Sequence, residues 1–251
     1  MATILNNPKM YDILYGDIKG DIDFYAKMVQ PFEEVVEYGA GTGRITIPLA
    51  ELGHKVIAVD NELKMLNRLS DKLLNYPFEV VNRIKTVHSD MVDVNFSNLK
   101  KCFIIPFTTF NYLLNYDTQL RCLNNIFDML AINGIVVLEL ITLNTYPELG
   151  NVNLVDVDTF NIDSRIIKYS RKTLYNEDTS IISQVRVFNE YSINGDFLSS
   201  NVYSWNNCYI PFEKFKNMVE LCGMKVISAY GDTNFSDYCK SSNDLFVVLK
   251  R

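Results

Sequence analysis

The sequence predicts an α/β fold: a mostly parallel sheet flanked by helices, with an antiparallel β-meander inserted into it. Three observations carry this reading. Between Glu34 and Leu140 short β-branched runs alternate with amphipathic stretches, the pattern of parallel strands joined by crossover helices. From about 151 to 209 the period changes to two, with Ile181, Ser183, Val185 and Val187 at every second position and Tyr203 and Trp205 following the same rule. After 209 a helical pattern and two strand-like runs return, so the meander is an insertion rather than a tail.

Taken in order, residues 1–33 are expected to form an N-terminal helical cap. Strands are expected near 34–38, 55–60, 84–88, 102–106 and 134–141. The helix 62–75 presents Leu63, Leu66, Leu69 and Leu73 at helical spacing, and the helix 117–131 presents Leu120, Leu123, Ile126, Phe127 and Leu130. Asn133-Gly134 reads as the stop of that second helix. Asn194-Gly195 predicts a hairpin through a type I′ turn, in which both central residues take positive φ. A helix at 211–222 and strands at 224–230 and 244–250 close the chain, and 1–251 reads as one compound domain.

A net charge of -6 argues against nucleic acid, whose phosphates call for clustered Lys and Arg. Lys168, Arg171 and Lys172 form the nearest basic patch and read as one solvated strand face. No apolar run is long enough to span a bilayer, and the start lacks the pattern of a secretion signal, so a cytoplasmic location is expected. The cysteines at 102, 122, 208, 222 and 239 include no close pair and read as buried thiols, with no metal site.

The chemistry begins at Glu37-Tyr38-Gly39-Ala40-Gly41-Thr42-Gly43, which follows an apolar strand and opens the helix Arg44–Leu52. Glycines there let backbone pass close to a ligand and leave amides free at a helix start. A tight turn without a ligand explains the loop equally well. Asp60 decides between the two readings, because an acid at the end of the next strand can accept both hydroxyls of a ribose. Asp90-Met91 follows a third strand, where a carboxylate can take an adenine amine and a thioether can cover its ring.

These stretches resemble the cofactor site of class I S-adenosylmethionine-dependent methyltransferases. Val36–Arg44 and Val59–Leu66 are similar to the first two motifs of that family, and Pro106–Leu113 with Asp117–Leu120 to a small-molecule branch of it. Tyr230-Gly231-Asp232 and the last strand extend the likeness over nearly the whole chain. The resemblance implies a Rossmann-like sheet and S-adenosyl-L-methionine as cofactor. By position, Gly39, Ala40 and Gly41 would border its methionine part, Asp60 the ribose, and Asn61, Met65, Asp90 and Met91 the adenine side. Phe107 would lie beside the sulfonium. Asn61 replaces the serine common after that acid, and Tyr112 stands where relatives often carry histidine.

A nicotinamide dinucleotide is the competing ligand. Its fingerprint places a third glycine where this chain has Arg44, and Glu37 would put negative charge near two phosphates. The same Glu37 favours the ammonium and sulfonium of S-adenosylmethionine.

Methyl transfer is an in-line displacement, so alignment and exclusion of water supply much of the rate. An ammonium or alcohol acceptor also needs a base. His54 and His88 both fall in cofactor-side segments, which leaves Tyr11, Tyr15 and Glu139 as catalytic candidates. The tyrosines either orient an acceptor or staple the cap to the core. Glu139, inside an apolar run, either has a buried partner or faces the pocket. Aromatics of the meander, among them Tyr169, Phe188, Tyr203 and Trp205, either roof the substrate site or pack the insertion onto the main sheet. The leading expectation is methylation of an N or O atom of a small molecule such as a metabolite, amino sugar or natural product. The alternatives are a peptide or protein methyltransferase and a non-catalytic regulator that binds the cofactor.

Overall fold

The computed structural model describes residues 3–149, 153–162 and 164–251. Short β-branched runs form β1 (Glu34–Tyr38), β2 (Lys55–Asp60), β3 (Ile84–His88), β4 (Lys100–Ile105) and β5 (Leu130–Glu139). The alternating segment forms β6 (Val155–Ile162), β7 (Arg165–Asn176), β8 (Ile181–Ser192) and β9 (Phe197–Cys208), and the chain ends with β10 (Lys225–Tyr230) and β11 (Phe246–Lys250). The helices are α1 (Pro8–Tyr15), α2 (Gly20–Val29), α3 (Thr46–Glu51), α4 (Leu63–Leu73), α5 (Phe78–Val81), α6 (Tyr116–Met129) and α7 (Phe212–Leu221).

The main sheet has the order β10-β11-β5-β4-β1-β2-β3, a Rossmann-like arrangement. Strands β1 to β5 run parallel, while β11 pairs antiparallel with both β5 and β10. Successive residues point to opposite faces of the sheet. Val36, Ile57, Phe103 and Val136 therefore meet α6 and α7, and Val35, Val56, Ile104 and Val137 meet α2 and α3. From β1 the chain moves to β2 on one side and later returns to β4 on the other. Such a reversal opens a crevice at the carboxyl ends of the strands, where open α/β sheets bind ligands.

The meander is a separate four-stranded antiparallel sheet in sequential order. Its aromatics do not pack it onto the main sheet. Ile167, Tyr169, Phe188 and Tyr203 instead cluster with Ile4 and Met10 of the N-terminal segment, and the Asn7 side-chain amide donates to the Tyr203 hydroxyl at 2.8 Å. Residues 1 and 2 of the expected cap and residues 151, 152 and 163 of the expected meander lie outside the described residues.

Several local expectations are corrected. Helix α6 ends at Met129 and runs directly into β5, so Asn133-Gly134 is no helix stop. Asn133, at φ +64°, sits where β5 shifts register against β4. The 194–195 hairpin forms, yet only Gly195 takes positive φ, at +91°. The Gly195 amide donates to Ser192 O at 2.9 Å and the Ser192 amide to Asp196 O at 2.8 Å. That is a longer bulged turn, which needs one left-handed residue where type I′ needs two. Leu63 is exposed at the start of α4, and Met65 takes the inner position. Cys239 is exposed, unlike the other four cysteines. No described helix is long and apolar enough to cross a membrane.

Candidate functional site

The carboxyl ends of β1, β2, β4 and β5 meet the N-terminal segment and the inner face of the meander around one cavity of about 420 Å³. Beyond Tyr38 the backbone turns at Gly39 with φ +71°, and the Thr109 side chain fills the space a Cβ would take. Gly43 is crowded in the same way by Leu69. Larger residues at either position would push the loop into the cavity.

Asp60 braces this loop from β2. One carboxylate oxygen accepts the Gly41 amide at 2.7 Å and the other the Glu62 amide at 2.8 Å. Burial raises its carboxyl above the ordinary value, and the two amide bonds oppose that rise. A carboxylate offers about four lone-pair sites. Two remain on Asp60, which lines the cavity beside Asn61, Met65 and Met91.

Three of the expected cofactor contacts are not on the cavity wall. Glu37 lies behind the loop and accepts the Thr46 hydroxyl at 2.6 Å, and burial pushes its carboxyl up to about 8. Ala40 packs beneath the loop with Ile47, Ala58 and Leu69. Asp90 is exposed and accepts the Val92 amide at 2.9 Å, which caps its own turn; Ser89 takes the wall position.

Phe107 and Thr108 occupy consecutive left-handed positions, at φ +53° and +55°. Neither is glycine, so each costs roughly 1–3 kcal/mol that surrounding contacts must offset. The Phe107 amide donates to Glu139 Oε2 at 2.8 Å, the Arg44 guanidinium stands 4.7 Å from the Phe107 ring centre, and Tyr15 meets that ring edge-on at 5.1 Å. Arg44 is fixed in turn by two bonds to Asp21, at 2.6 and 2.7 Å. Glu139 both has a buried partner and faces the cavity. Burial pushes its carboxyl up to about 8, and the nearby Asp21 and Asp244 act in the same direction.

The N-terminal segment closes one side. Asp12 accepts Thr42 Oγ1 at 2.6 Å, Arg68 Nε at 2.8 Å and Lys72 Nζ at 3.0 Å, which ties α1 to the glycine loop and to α4. Burial works against its charge, yet these three donors prevail and hold its carboxyl below the ordinary value. Tyr11 and Tyr15, 4.9 Å apart between ring centres, line the cavity together with Tyr112 and Tyr146. Burial raises all four hydroxyls, that of Tyr146 to about 12, so at neutral pH they remain donors.

The meander supplies residues that the sequence reading passed over: Arg171, Gln184, Arg186 and Asn207 on the cavity wall. Arg171 is therefore not part of a solvated face. It turns inward and pairs with Glu148 at 2.9 Å. Alternation along β8, which sets Gln184 and Arg186 on one face two residues apart, was the available signal. Neither histidine reaches the cavity: His54 Nδ1 pairs with Phe32 O at 2.7 Å and His88 Nε2 with Asn61 O at 3.1 Å. Among the described residues no group of His, Cys, Asp or Glu is placed to hold a metal ion.

Residues 35–134, which span the glycine loop, Asp60, Phe107 and the strands that carry them, match the family described as a methyltransferase domain. The matched stretch is a methyltransferase domain. The same architecture occurs in the CcbJ methyltransferase from Streptomyces caelestis, with a TM-score of 0.75 and 20% identity over 92% of this chain and 89% of that one. It occurs also in an amino pentose methyltransferase from Micromonospora echinaspora involved in calicheamicin biosynthesis, with a TM-score of 0.74 and 15% identity over 96% of this chain and 97% of that one. In sequence, a ribosomal RNA small subunit methyltransferase of Arabidopsis thaliana is 31% identical over 100 residues, 38% of this chain. The chain spans only 28% of the length of that relative.

Proposed function

We propose that this protein transfers a methyl group from S-adenosylmethionine to a nitrogen atom of a small amine. One observation carries the reading: one cavity is lined by Asp60 and the glycine loop together with Glu139 and buried tyrosines. The cofactor supplies an electrophilic methyl group on a sulfonium. The two unused lone-pair sites of Asp60 suit a ribose diol, Met65 and Met91 suit an adenine ring, and Gly39 and Gly41 leave backbone free for the methionine part.

Glu139 is the residue placed to hold a proton. A base works best when its pKa lies near the working pH, and burial brings this carboxyl to about 8. It takes a proton from an ammonium acceptor and leaves the nitrogen lone pair free to attack. Tyr11 and Tyr15 orient the acceptor through their hydroxyls, and the cap and meander exclude water. The amino pentose methyltransferase of like fold supports an amine acceptor.

The match to a ribosomal RNA methyltransferase keeps one second reading in play, an RNA base. A net charge of -6 and a cavity walled by α1 and the meander favour the small molecule. The test is methyl transfer from labelled S-adenosylmethionine to a panel of amino sugars, small amines, phenols, peptides and ribosomal RNA. Label on the amines supports the proposal. Label on RNA alone, or on oxygen alone, refutes it.

A further inference from the structure

We propose that the meander wall of the cavity binds an anionic group of the methyl acceptor, a carboxylate or a phosphate, through the Arg186 guanidinium and the Asn207 amide. This rests on the small-molecule reading above and deepens it. Arg186 is only 4% exposed and Asn207 only 1%. Among the described residues no carboxylate lies within ion-pairing distance of Arg186, whose hydrogen bonds go to Gln184 Oε1, Val185 O and the Tyr15 hydroxyl, all neutral. Its Nε has no partner, and neither has Asn207 Nδ2, although Asn207 Oδ1 accepts Gln184 Nε2 at 2.9 Å. Arg171 Nε, on the same wall, is also unpaired.

The unused groups on this wall are thus all donors, and one of them belongs to a buried cation. A buried charge is costly unless an opposite charge meets it, and an anionic ligand supplies what the fold does not. A guanidinium presents its donors as a planar fork that matches carboxylate and phosphate oxygens. The Tyr15 hydroxyl accepts from Arg186 and the Tyr146 hydroxyl from Gln184 Nε2 at 3.2 Å, which leaves the proton of each hydroxyl to donate. The same cavity is lined by the acids Asp60 and Glu139. A cavity that carries both signs of charge suits an acceptor with both an amine and an anionic group.

Trp205 is the only tryptophan in the chain, and its ring lies 5.0 Å from the Arg186 guanidinium, so its fluorescence reports on this wall. Protein loaded with S-adenosylhomocysteine, with loading confirmed by calorimetry, is titrated with acetate, inorganic phosphate and acetamide at constant ionic strength. The expected result is a saturable change with acetate or phosphate and none with acetamide. In Arg186→Gln the anion affinity should fall roughly 10- to 150-fold, the range for a charge-assisted hydrogen bond, while S-adenosylhomocysteine affinity stays as in the parent. If that variant does not fold, Asn207→Asp serves, since a carboxylate beside Arg186 should abolish the response. Overturning results are no saturable change, an equal response to acetamide, or an unaltered response in the variant. A response confined to cofactor-free protein would give Arg186 to the cofactor's own carboxylate and overturn the acceptor role. Failure of S-adenosylhomocysteine to bind would refute the cofactor reading instead.

Discussion

The Thr42 hydroxyl donates to Asp12 Oδ1 at 2.6 Å, so a residue of the glycine loop holds the first helix in place. The same carboxylate gathers Arg68 and Lys72 from α4. Loss of this junction should release α1 while the sheet stays intact. Asp12 is part-buried, with 18% of its side chain exposed, so Asp12→Ala should weaken docking of the cap by about 1 kcal/mol. Hydrogen exchange tests this: faster exchange over Pro8–Tyr15, with β1 and β2 unchanged, is the expected outcome.

Glu37 and Glu139 give the fold a characteristic pH dependence. Both carboxyls move from an ordinary value of 4.5 up to about 8 in the folded protein. A group raised in this way binds its proton more tightly folded than unfolded, so its contribution is complete below the lower value and disappears as pH climbs through the upper one. Denaturant unfolding of the cofactor-free protein should therefore show stability falling as pH rises across that window. Glu37→Gln should flatten the profile, because glutamine still accepts the Thr46 hydroxyl and does not titrate. A profile unchanged by the substitution contradicts the assignment.

The transfer step should not depend on histidine. His54 and His88 are engaged with backbone oxygens of Phe32 and Asn61, outside the cavity. With acceptor and cofactor saturating, His54→Ala and His88→Ala should keep the turnover of the parent, whereas loss of a general base costs ~10²–10⁴-fold. Glu139→Gln is the contrasting variant and should show that loss.

Much of this was legible in the sequence because it depends on local pattern. Short β-branched runs marked β1 to β5, and Gly39, Asp60 and Met91 could be assigned to one sheet edge because each follows a strand. What escaped depended on contacts between distant segments. Glu37 was read toward the ligand, but Thr46 draws it behind the loop. Asp90 was read the same way, and its bond to the Val92 amide turns it outward. Nothing local told that the meander aromatics meet Ile4 and Met10 rather than the main sheet. Alternation along β8 puts Arg186 on one face with Gln184, but only the packed fold shows it buried with no acid beside it among the described residues.

Binding of the cofactor tests the central claim most directly. Calorimetry should show one-to-one binding of S-adenosylmethionine, competed by S-adenosylhomocysteine, and no binding of nicotinamide dinucleotides. Asp60→Ala should weaken that binding by about 1.5–3 kcal/mol, the range for hydrogen bonds to a charged group. The variant is compared as folded protein, because Asp60 also braces Gly41 and Glu62. Tight dinucleotide binding, or an affinity for S-adenosylmethionine that Asp60→Ala leaves unchanged, would contradict the account.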